Sequence, residues 1–394
     1  MSKVFFIKHS EPIPEDNPNI RLMRTGYLVS YLAQFMETVW VVSRFDHFSK
    51  NYRNKNAFEL GNSKIIKAYT VGYQNNVSFR RVLDDFVYGS YVFIYLLCNA
   101  KKNDVVIASW PTIFGPTAAF MASRLKGCEF IFELRDLWPK TLLEQTNIPH
   151  KISKIFEFIL NSLLKYIILR TKKILVPSLG YKKWILPFCN ENKILISRFP
   201  YKSVDKSLSD FDLDKLLVPA KKRKIIVFFG TIGKMFDFDI FQQLSTKTFD
   251  SFFFAIFGSG DNLMAYKQKY KDFDGVKFYG RVNGSDISLI SEKADFGFAP
   301  YRKITNFDGH FPNKISEYLS LSIPIIHSLG GETQEYLDKH RAGIWYNGNG
   351  DDLEKKLNGI MKLSFEKSSL HRLYVENFTV DAVGKELIEF LELQ

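Results

Sequence analysis

The run Phe311-Pro312-Asn313-Lys314-Ile315-Ser316-Glu317-Tyr318-Leu319, followed by Ile323-Pro324-Ile325-Ile326, gathers the residue types of an anion site in a short segment. It reads as a turn, a helix that opens with a proline and a polar residue, and then a buried strand. Exposed backbone N–H groups at such a helix start can hold a diphosphate. One turn later, Glu317 can accept hydrogen bonds from both hydroxyls of a ribose. Together these features point to a nucleotide-linked donor. For Glu317 alone, a solvated helix carboxylate is the plain alternative.

The same half of the chain holds two strand–glycine junctions. The apolar run Ile225–Phe229 leads into Gly230-Thr231-Ile232-Gly233-Lys234, where two glycines let backbone N–H groups approach an anion and Lys234 adds a full charge. A tight turn with a solvated lysine is the competing reading. The second junction, Phe257-Gly258-Ser259-Gly260-Asp261, has Leu263 where a dinucleotide fingerprint needs a third glycine. It is a structural turn or a loop near a base. Arg302 and Lys303, after the strand that ends at Pro300, can neutralise phosphates or serve as ordinary surface cations.

In the first half, Glu133-Leu134-Arg135-Asp136-Leu137-Trp138-Pro139 follows a strand directly. Ionisable residues crowded at a strand end must pair with one another or act on a ligand. Both readings stay open, the first as an Arg135–Asp136 or Glu133–Arg135 ion pair. Arg44-Phe45-Asp46-His47 ends another strand and puts a second polar cluster on the same rim.

These residues must be positioned by a regular frame. Short β-rich runs alternate with helical patterns along the chain. Strands are expected at Val4–Ile7, Val39–Val42, Ile65–Tyr69, Val105–Ala108, Phe130–Glu133 and Ile174–Pro177. In the second half they are expected at Ile225–Phe229, Phe252–Phe257, Val276–Tyr279, Phe296–Ala299 and Pro324–His327. Helices are expected near Leu22–Gln34, Val82–Leu97, Thr117–Leu125, Ile152–Leu169 and Val380–Leu393. Alternating β and α units argue for an α/β fold of parallel sheets covered on both faces. The pattern breaks over Phe199–Lys222, so two doubly wound domains facing a cleft are expected, with ligands at the carboxyl ends of the strands.

Composition narrows the function class. The chain has 394 residues, 46% hydrophobic and 24% charged, which excludes disorder and favours two domains. Cys98, Cys128 and Cys189 are too scattered for a disulfide framework or a metal cluster, which suggests a reducing compartment. No secretory leader is expected, since Met1-Ser2-Lys3 runs straight into a short apolar segment. A net charge of +12 implies a polyanionic partner: nucleic acid, an acidic lipid surface or phosphorylated small molecules. Residues 151–183 concentrate it, with eight Lys or Arg against the single acid Glu157. Apolar positions Ile152, Ile155, Phe156, Ile159, Leu160, Leu163 and Leu164 follow helical spacing there. Such a helix either lies on an anionic membrane or buries its stripe in its own domain.

Taken together, the motifs resemble those of the family 4 retaining glycosyltransferases of the two-domain GT-B fold, above all the bacterial members that build O-antigen, capsule and related surface polysaccharides. The likeness runs through Phe45-Asp46-His47 with Lys50 and Arg53, Glu133–Pro139, Gly230–Lys234, Gly280-Arg281-Val282, Ala294 to Pro300 and Pro312–Pro324. It implies an acceptor-binding domain over 1–200, a nucleotide-sugar domain over 201–378, and a last helix, 379–394, packing back on the first domain. It implies a donor set of Gly230, Thr231, Gly233, Lys234, Gly258, Arg302, Asp308, His310, Pro312, Asn313, Lys314 and Glu317. Asp46, His47, Glu133 and Trp138 then lie on the acceptor side, and Lys234, Arg135 and Asp136 are the candidate catalytic residues. Glu317 matches the second glutamate of the family's paired motif. Gly309 stands in place of the first, flanked by Asp308 and His310 as substitutes. Thr231 and Phe236 occupy positions often filled by phosphate-binding Arg and Lys, which leaves Lys234 as the replacement. Many relatives carry a histidine where Arg135 stands.

The implied reaction moves a sugar, with retention and without metal or cofactor, from a nucleotide carrier, most often UDP, to a saccharide acceptor. That acceptor is expected on a polyprenyl diphosphate at the cytoplasmic face of the membrane, where the enzyme would be peripheral. One competitor shares the fold but not the reaction, a sugar-nucleotide epimerase; a second is a non-catalytic saccharide or sugar-nucleotide binder, to which Gly309 points. Nucleic-acid binding ranks last, because no groove-reading or base-stacking motif accompanies the charge.

Overall fold

The computed structural model describes the whole chain except residues 1, 18–20, 77, 137–149, 204–219, 221, 303–308, 362 and 393–394. The chain divides into unit 1, Met1–Pro200 with Val380–Gln394, and unit 2, Tyr201–Thr379.

Unit 1 is built on strands β1 (Val4–Ile7), β2 (Thr38–Ser43), β3 (Phe58–Leu60), β4 (Ser63–Ala68), β5 (Val105–Trp110), β6 (Glu129–Leu134), β7 (Lys173–Val176) and β8 (Ile194–Ile196). Their order is β3-β4-β2-β1-β5-β6-β7-β8, parallel throughout except for the β3–β4 hairpin. Helices α1 (Arg24–Leu32), α2 (Phe79–Asn99), α3 (Phe114–Lys126), α4 (His150–Arg170) and α5 (Leu179–Ile185) cover it.

The strands read as continuous apolar runs because both faces of the sheet are buried. Their period of two divides them cleanly. Phe5, Ile7, Val39 and Val41 pack under α2, α3 and α4, whereas Val4, Phe6, Trp40 and Val42 pack with α1 on the opposite face.

Unit 2 carries β9 (Lys224–Thr231), β10 (Phe252–Ser259), β11 (Val276–Gly280), β12 (Phe296–Ala299), β13 (Ile325–His327) and β14 (Gly343–Trp345), all parallel, in the order β11-β10-β9-β12-β13-β14. The helices are α6 (Thr246–Ser251), α7 (Leu263–Lys269), α8 (Gly284–Lys293), α9 (Asn313–Ser320), α10 (Gly331–Lys339), α11 (Gly350–Ile360), α12 (Lys367–Asn377) and α13 (Val380–Leu391). The last of these belongs to unit 1. Val383, Leu387 and Leu391 of α13 join the core of Leu28 and Trp40, and a methyl group added at Gly384 would lie 2.2 Å from the Tyr31 ring.

Each sheet reverses its strand order once. In unit 1 the reversal lies between β1 and β5, and in unit 2 between β9 and β12. Ligands of doubly wound sheets bind at such points, beyond the carboxyl ends of the strands.

Several expected boundaries shift. α3 begins at Phe114 rather than Thr117, because Pro116 falls in its first turn, where the missing N–H breaks no bond. α2 begins at Phe79, its start capped by the Ser78 hydroxyl accepting from the Arg81 N–H. β3, β8 and β14 are three-residue strands without a sequence expectation.

Candidate functional site

In unit 2 the reversal point is lined by the residues that the sequence singled out. β9 ends at Gly230 and Thr231, both exposed, and the turn beyond it carries Gly233 and an exposed Lys234. Gly230 has φ 141°, and a methyl group there would lie 2.8 Å from Lys314 Nζ. A side chain at that position would therefore meet a buried cation. Beside Gly233, a methyl group would meet only Thr231 Cγ2, at 3.8 Å, so this stretch of backbone stays open to a ligand. Lys234 makes no ion pair among the described residues.

α9 starts at Asn313 behind Pro312, which brings no capping side chain, and it has no acid in its first turn, so its own first turn leaves the positive helix end unneutralised. Lys314 is buried. Its ammonium donates to the Phe229 carbonyl oxygen and lies 4.2 Å from the Phe228 ring centroid and 5.4 Å from that of Phe236. Lys314 therefore fixes the strand end, with its ammonium beside Gly230. Glu317 is also buried, at 9% exposure, which removes the solvated-helix alternative. Burial, and after it the Glu317 carboxylate, push the Tyr301 hydroxyl up, so Tyr301 stays a neutral donor beside that carboxylate.

Other members of the expected donor set have structural duties. Gly258 is required by close packing: with φ 159°, an added methyl group would lie 1.8 Å from the Gly230 carbonyl oxygen. Arg302 is drawn to an acidic pair, 3.0 Å from Asp239 and 3.5 Å from Asp237, and donates to the Phe236 carbonyl. Phe236 is buried, bridged to Tyr301. His310 lends its carbonyl oxygen to the Thr333 hydroxyl at 2.9 Å. Lys303, Asp308 and Trp138 lie outside the described residues.

In unit 1 the cluster after β6 is a buried ion network. Arg24 bonds the Glu133 carboxylate and the carbonyl oxygens of Ser197 and Arg198. Glu133 also accepts from the Ser109 hydroxyl and lies 3.7 Å from Arg135, whose main partner is Glu11. Burial alone would raise the Glu133 carboxyl, but the charges of Arg135 and Arg24 hold it down to about 2. Lys8, at the end of β1, is lowered to about 8 by burial and then by Arg135, with Asp136 among the acids that oppose the shift. Glu133 thus braces the carboxyl edge of the sheet, and Arg135 pairs internally, with Glu133 as one of the two alternatives held and with Glu11, which neither alternative named. Glu11, Arg24 and Lys8 escaped the sequence reading. Polar residues just beyond β1 were the available signal.

Asp46 and His47 differ in role. Asp46 accepts from the N–H groups of Phe48 and Ser49 and lies 3.4 Å from Arg53, so it closes its own loop. His47 bonds the Tyr73 hydroxyl through Nδ1 at 2.6 Å. Burial, then Lys50 and Arg81, lower it to about 4, so it is neutral at pH 7.

Known proteins agree with this frame. Residues 223–362 match the family model described as "Glycosyl transferases group 1". No curated protein matches the chain in sequence. Among solved structures, the chain is similar to the Anabaena HepE protein in complex with UDP, at 10% identity and TM-score 0.66, with 100% of each chain covered. It is similar to sucrose-phosphate synthase of Thermosynechococcus elongatus at 11% identity and TM-score 0.68, covering 100% of this chain and 98% of that one. The lipopolysaccharide outer core galactosyltransferase WaaB in its apo form follows at 15% identity and TM-score 0.60, with 100% and 99% covered. These likenesses establish the fold as GT-B, two Rossmann-like α/β domains.

Proposed function

We propose that the chain is a retaining, metal-independent glycosyltransferase that takes a sugar from a nucleotide carrier, UDP in the first instance, and passes it to a saccharide acceptor. The observation that carries this reading is the strand reversal in unit 2. There the open backbone of 230–234, the acid-free first turn of α9, buried Lys314 and buried Glu317 meet at the ends of β9 and β12. The diphosphate would lie against the N–H groups of Gly230–Gly233 and of α9, with Lys234 as the mobile cation. Lys314 would act through its field and through the carbonyl it fixes. Glu317 would accept from the ribose hydroxyls. Preorganised donors aimed at the charge growing on the departing diphosphate would supply the largest catalytic contribution. The acceptor hydroxyl would attack from the face the diphosphate leaves. UDP-sugars incubated with candidate acceptors, with the anomeric proton of the product followed by NMR, test the reading. A product with the donor's anomeric configuration supports it, and inversion or acceptor-free conversion of the donor contradicts it.

The acceptor is proposed to be lipid-linked, in surface polysaccharide synthesis, with the enzyme peripheral to the inner face of the cytoplasmic membrane. Unit 1 supports this through its helical layer of α2, α3 and α4. Only part of the expected α4 stripe is buried: Leu164 is in the core, while Ile155, Phe156 and Ile159 are exposed. Phe79 (82% exposed), Phe158 (73%) and Leu125 (69%) are further exposed apolar side chains of these helices, and Arg80, Arg124, Lys154, Lys165 and Arg170 are exposed on the same three helices. No described helix is long and apolar enough to cross a membrane. Apolar side chains set among cations are suited to lying in an acidic interface. The chain is expected to float with vesicles containing acidic lipid and to be released by salt. Phe158→Asp is expected to weaken binding about tenfold, the value of burying one large apolar side chain. Equal flotation of variant and wild type would remove α4 from the contact.

A further inference from the structure

Unit 1 holds a second constellation, distinct from its ion network. The loops after β2 and β4 and the start of α2 form an open pocket of about 320 Å3 whose lining includes Phe45, Lys50, Tyr52, Gly72, Tyr73 and Arg80. Its walls are aromatic. The Phe45 ring lies 5.3 Å from both Tyr52 and Tyr73, centroid to centroid. Gly72 makes this closure possible: at φ 67°, an added methyl group would lie 2.7 Å from the Tyr52 hydroxyl and 2.8 Å from the Phe45 ring.

The walls are held from behind. The Tyr73 hydroxyl bonds His47, and the Gly72 N–H donates to Asp84 at 2.6 Å. Asp84 is also bonded to His9 at 2.7 Å, and His9 to the Ser10 hydroxyl at 2.5 Å.

The rim is cationic, and its cations are held by neutral acceptors: Lys50 donates to the Asn76 side chain at 2.8 Å, Arg81 to the Asn76 carbonyl oxygen and Arg44 to that of Arg53. Lys50 Nζ lies 4.7 Å from the Tyr73 ring centroid, the Arg81 guanidinium 5.6 Å from it, and the Arg44 guanidinium 5.5 Å from that of Tyr52. Arg80 donates to the carbonyl oxygens of Gly72 and Val71. None of these four cations forms an ion pair with a described carboxylate. The nearby acids are committed elsewhere: Asp46 to its own loop and Arg53, Asp84 to His9 and Gly72, Asp85 to the N–H groups of Ile113 and Phe114. Lys50 also holds a left-handed backbone conformation, φ 59°, although it is not glycine. Such strain collects at ligand clamps.

We infer that this pocket binds a saccharide ring bearing an anionic group, phosphate or carboxylate. The aromatic walls take the apolar face of the ring, and Lys50, Arg80 and Arg81 take the anion. This deepens the glycosyltransferase reading and rests on it for one point, that the ligand is the acceptor of the transfer.

The test uses the full chain saturated with UDP, so that sugar phosphates do not occupy the donor site, and follows ligand NMR signals. Glucose 6-phosphate, glucuronic acid, glucose and inorganic phosphate are compared. At least one of the two anionic sugars is expected to bind about tenfold or more tightly than glucose and than inorganic phosphate. Which one binds tells phosphate from carboxylate. Lys50→Gly removes the charge and relieves the strained backbone, so it is expected to keep the thermal midpoint and lose that preference, and Arg81→Gln is expected to weaken it. Equal binding of glucose, equal binding of phosphate alone, or wild-type affinity in both variants overturns the proposal. Failure of UDP to bind, with Lys50-dependent sugar binding intact, sinks the donor reading and leaves the pocket standing.

Discussion

Lys234→Ala is expected to lower the turnover of sugar transfer on the order of 100-fold while leaving thermal unfolding unchanged. The side chain is exposed, has no ion pair among the described residues, and stands on the open turn after β9. Its removal therefore takes no ion pair or side-chain hydrogen bond from the described residues. On the proposed reading, what it removes is a full charge beside the place where the departing diphosphate would gain its own. An interaction stronger in the transition state than in the ground state acts on kcat more than on KM. Arg302, by contrast, already faces Asp237 and Asp239, and its replacement should disturb the 236–239 turn before it disturbs the chemistry. Unchanged kcat in Lys234→Ala would take this residue out of the site.

The largest stability effect is expected at Arg24. Arg24→Ala leaves the Glu133 carboxylate, itself 3% exposed, without its closest cation, and frees the carbonyl oxygens of Ser197 and Arg198. Breaking a buried pair from one side costs about 3–5 kcal/mol, because the remaining charge stays out of water. The pH dependence has a definite sign. Glu133 is held down to about 2 by Arg135 and Arg24, against an ordinary value of 4.5. A depressed carboxylate contributes stability that is fully present above its unfolded value and is lost as pH falls through the folded one. Urea unfolding should thus show the gap between wild type and Arg24→Ala at full size at pH 7 and shrinking from pH 4.5 towards 2. A gap under about 1 kcal/mol at pH 7, the size of a surface pair, would contradict the brace.

What could be read in the sequence follows from how local the physics is. The long strands were legible because a parallel sheet buried on both faces needs unbroken apolar runs, as in Ile225–Phe229 and Phe252–Phe257. The 311–326 segment was legible because proline, a short helix and a buried strand are all local signals. Three-residue strands are too short for any period. β3 is set by a hairpin whose Gly61, at φ 57°, was its one local mark.

The network around Glu133 was out of reach for another reason. Its partners Arg24 and Glu11 come from the loop and helix after β1, 109 residues from Glu133 and 124 residues from Arg135, respectively, and only the adjacency of β1, β5 and β6 unites them. Lys314 is a different case. Its place in the sequence was right, but its burial under Phe228 and Phe229 depends on packing that no spacing rule shows.

Calorimetric titration of UDP into the wild type and Glu317→Gln asks most directly whether unit 2 holds the donor. Glu317→Gln keeps the shape of the buried side chain and removes its charge, so it should bind UDP about tenfold or more weakly, with 2′-deoxy-UDP showing a smaller loss. Matching affinities for UDP in the two proteins, or no UDP binding by either, would mean that the ends of β9 and β12 are not a nucleotide site.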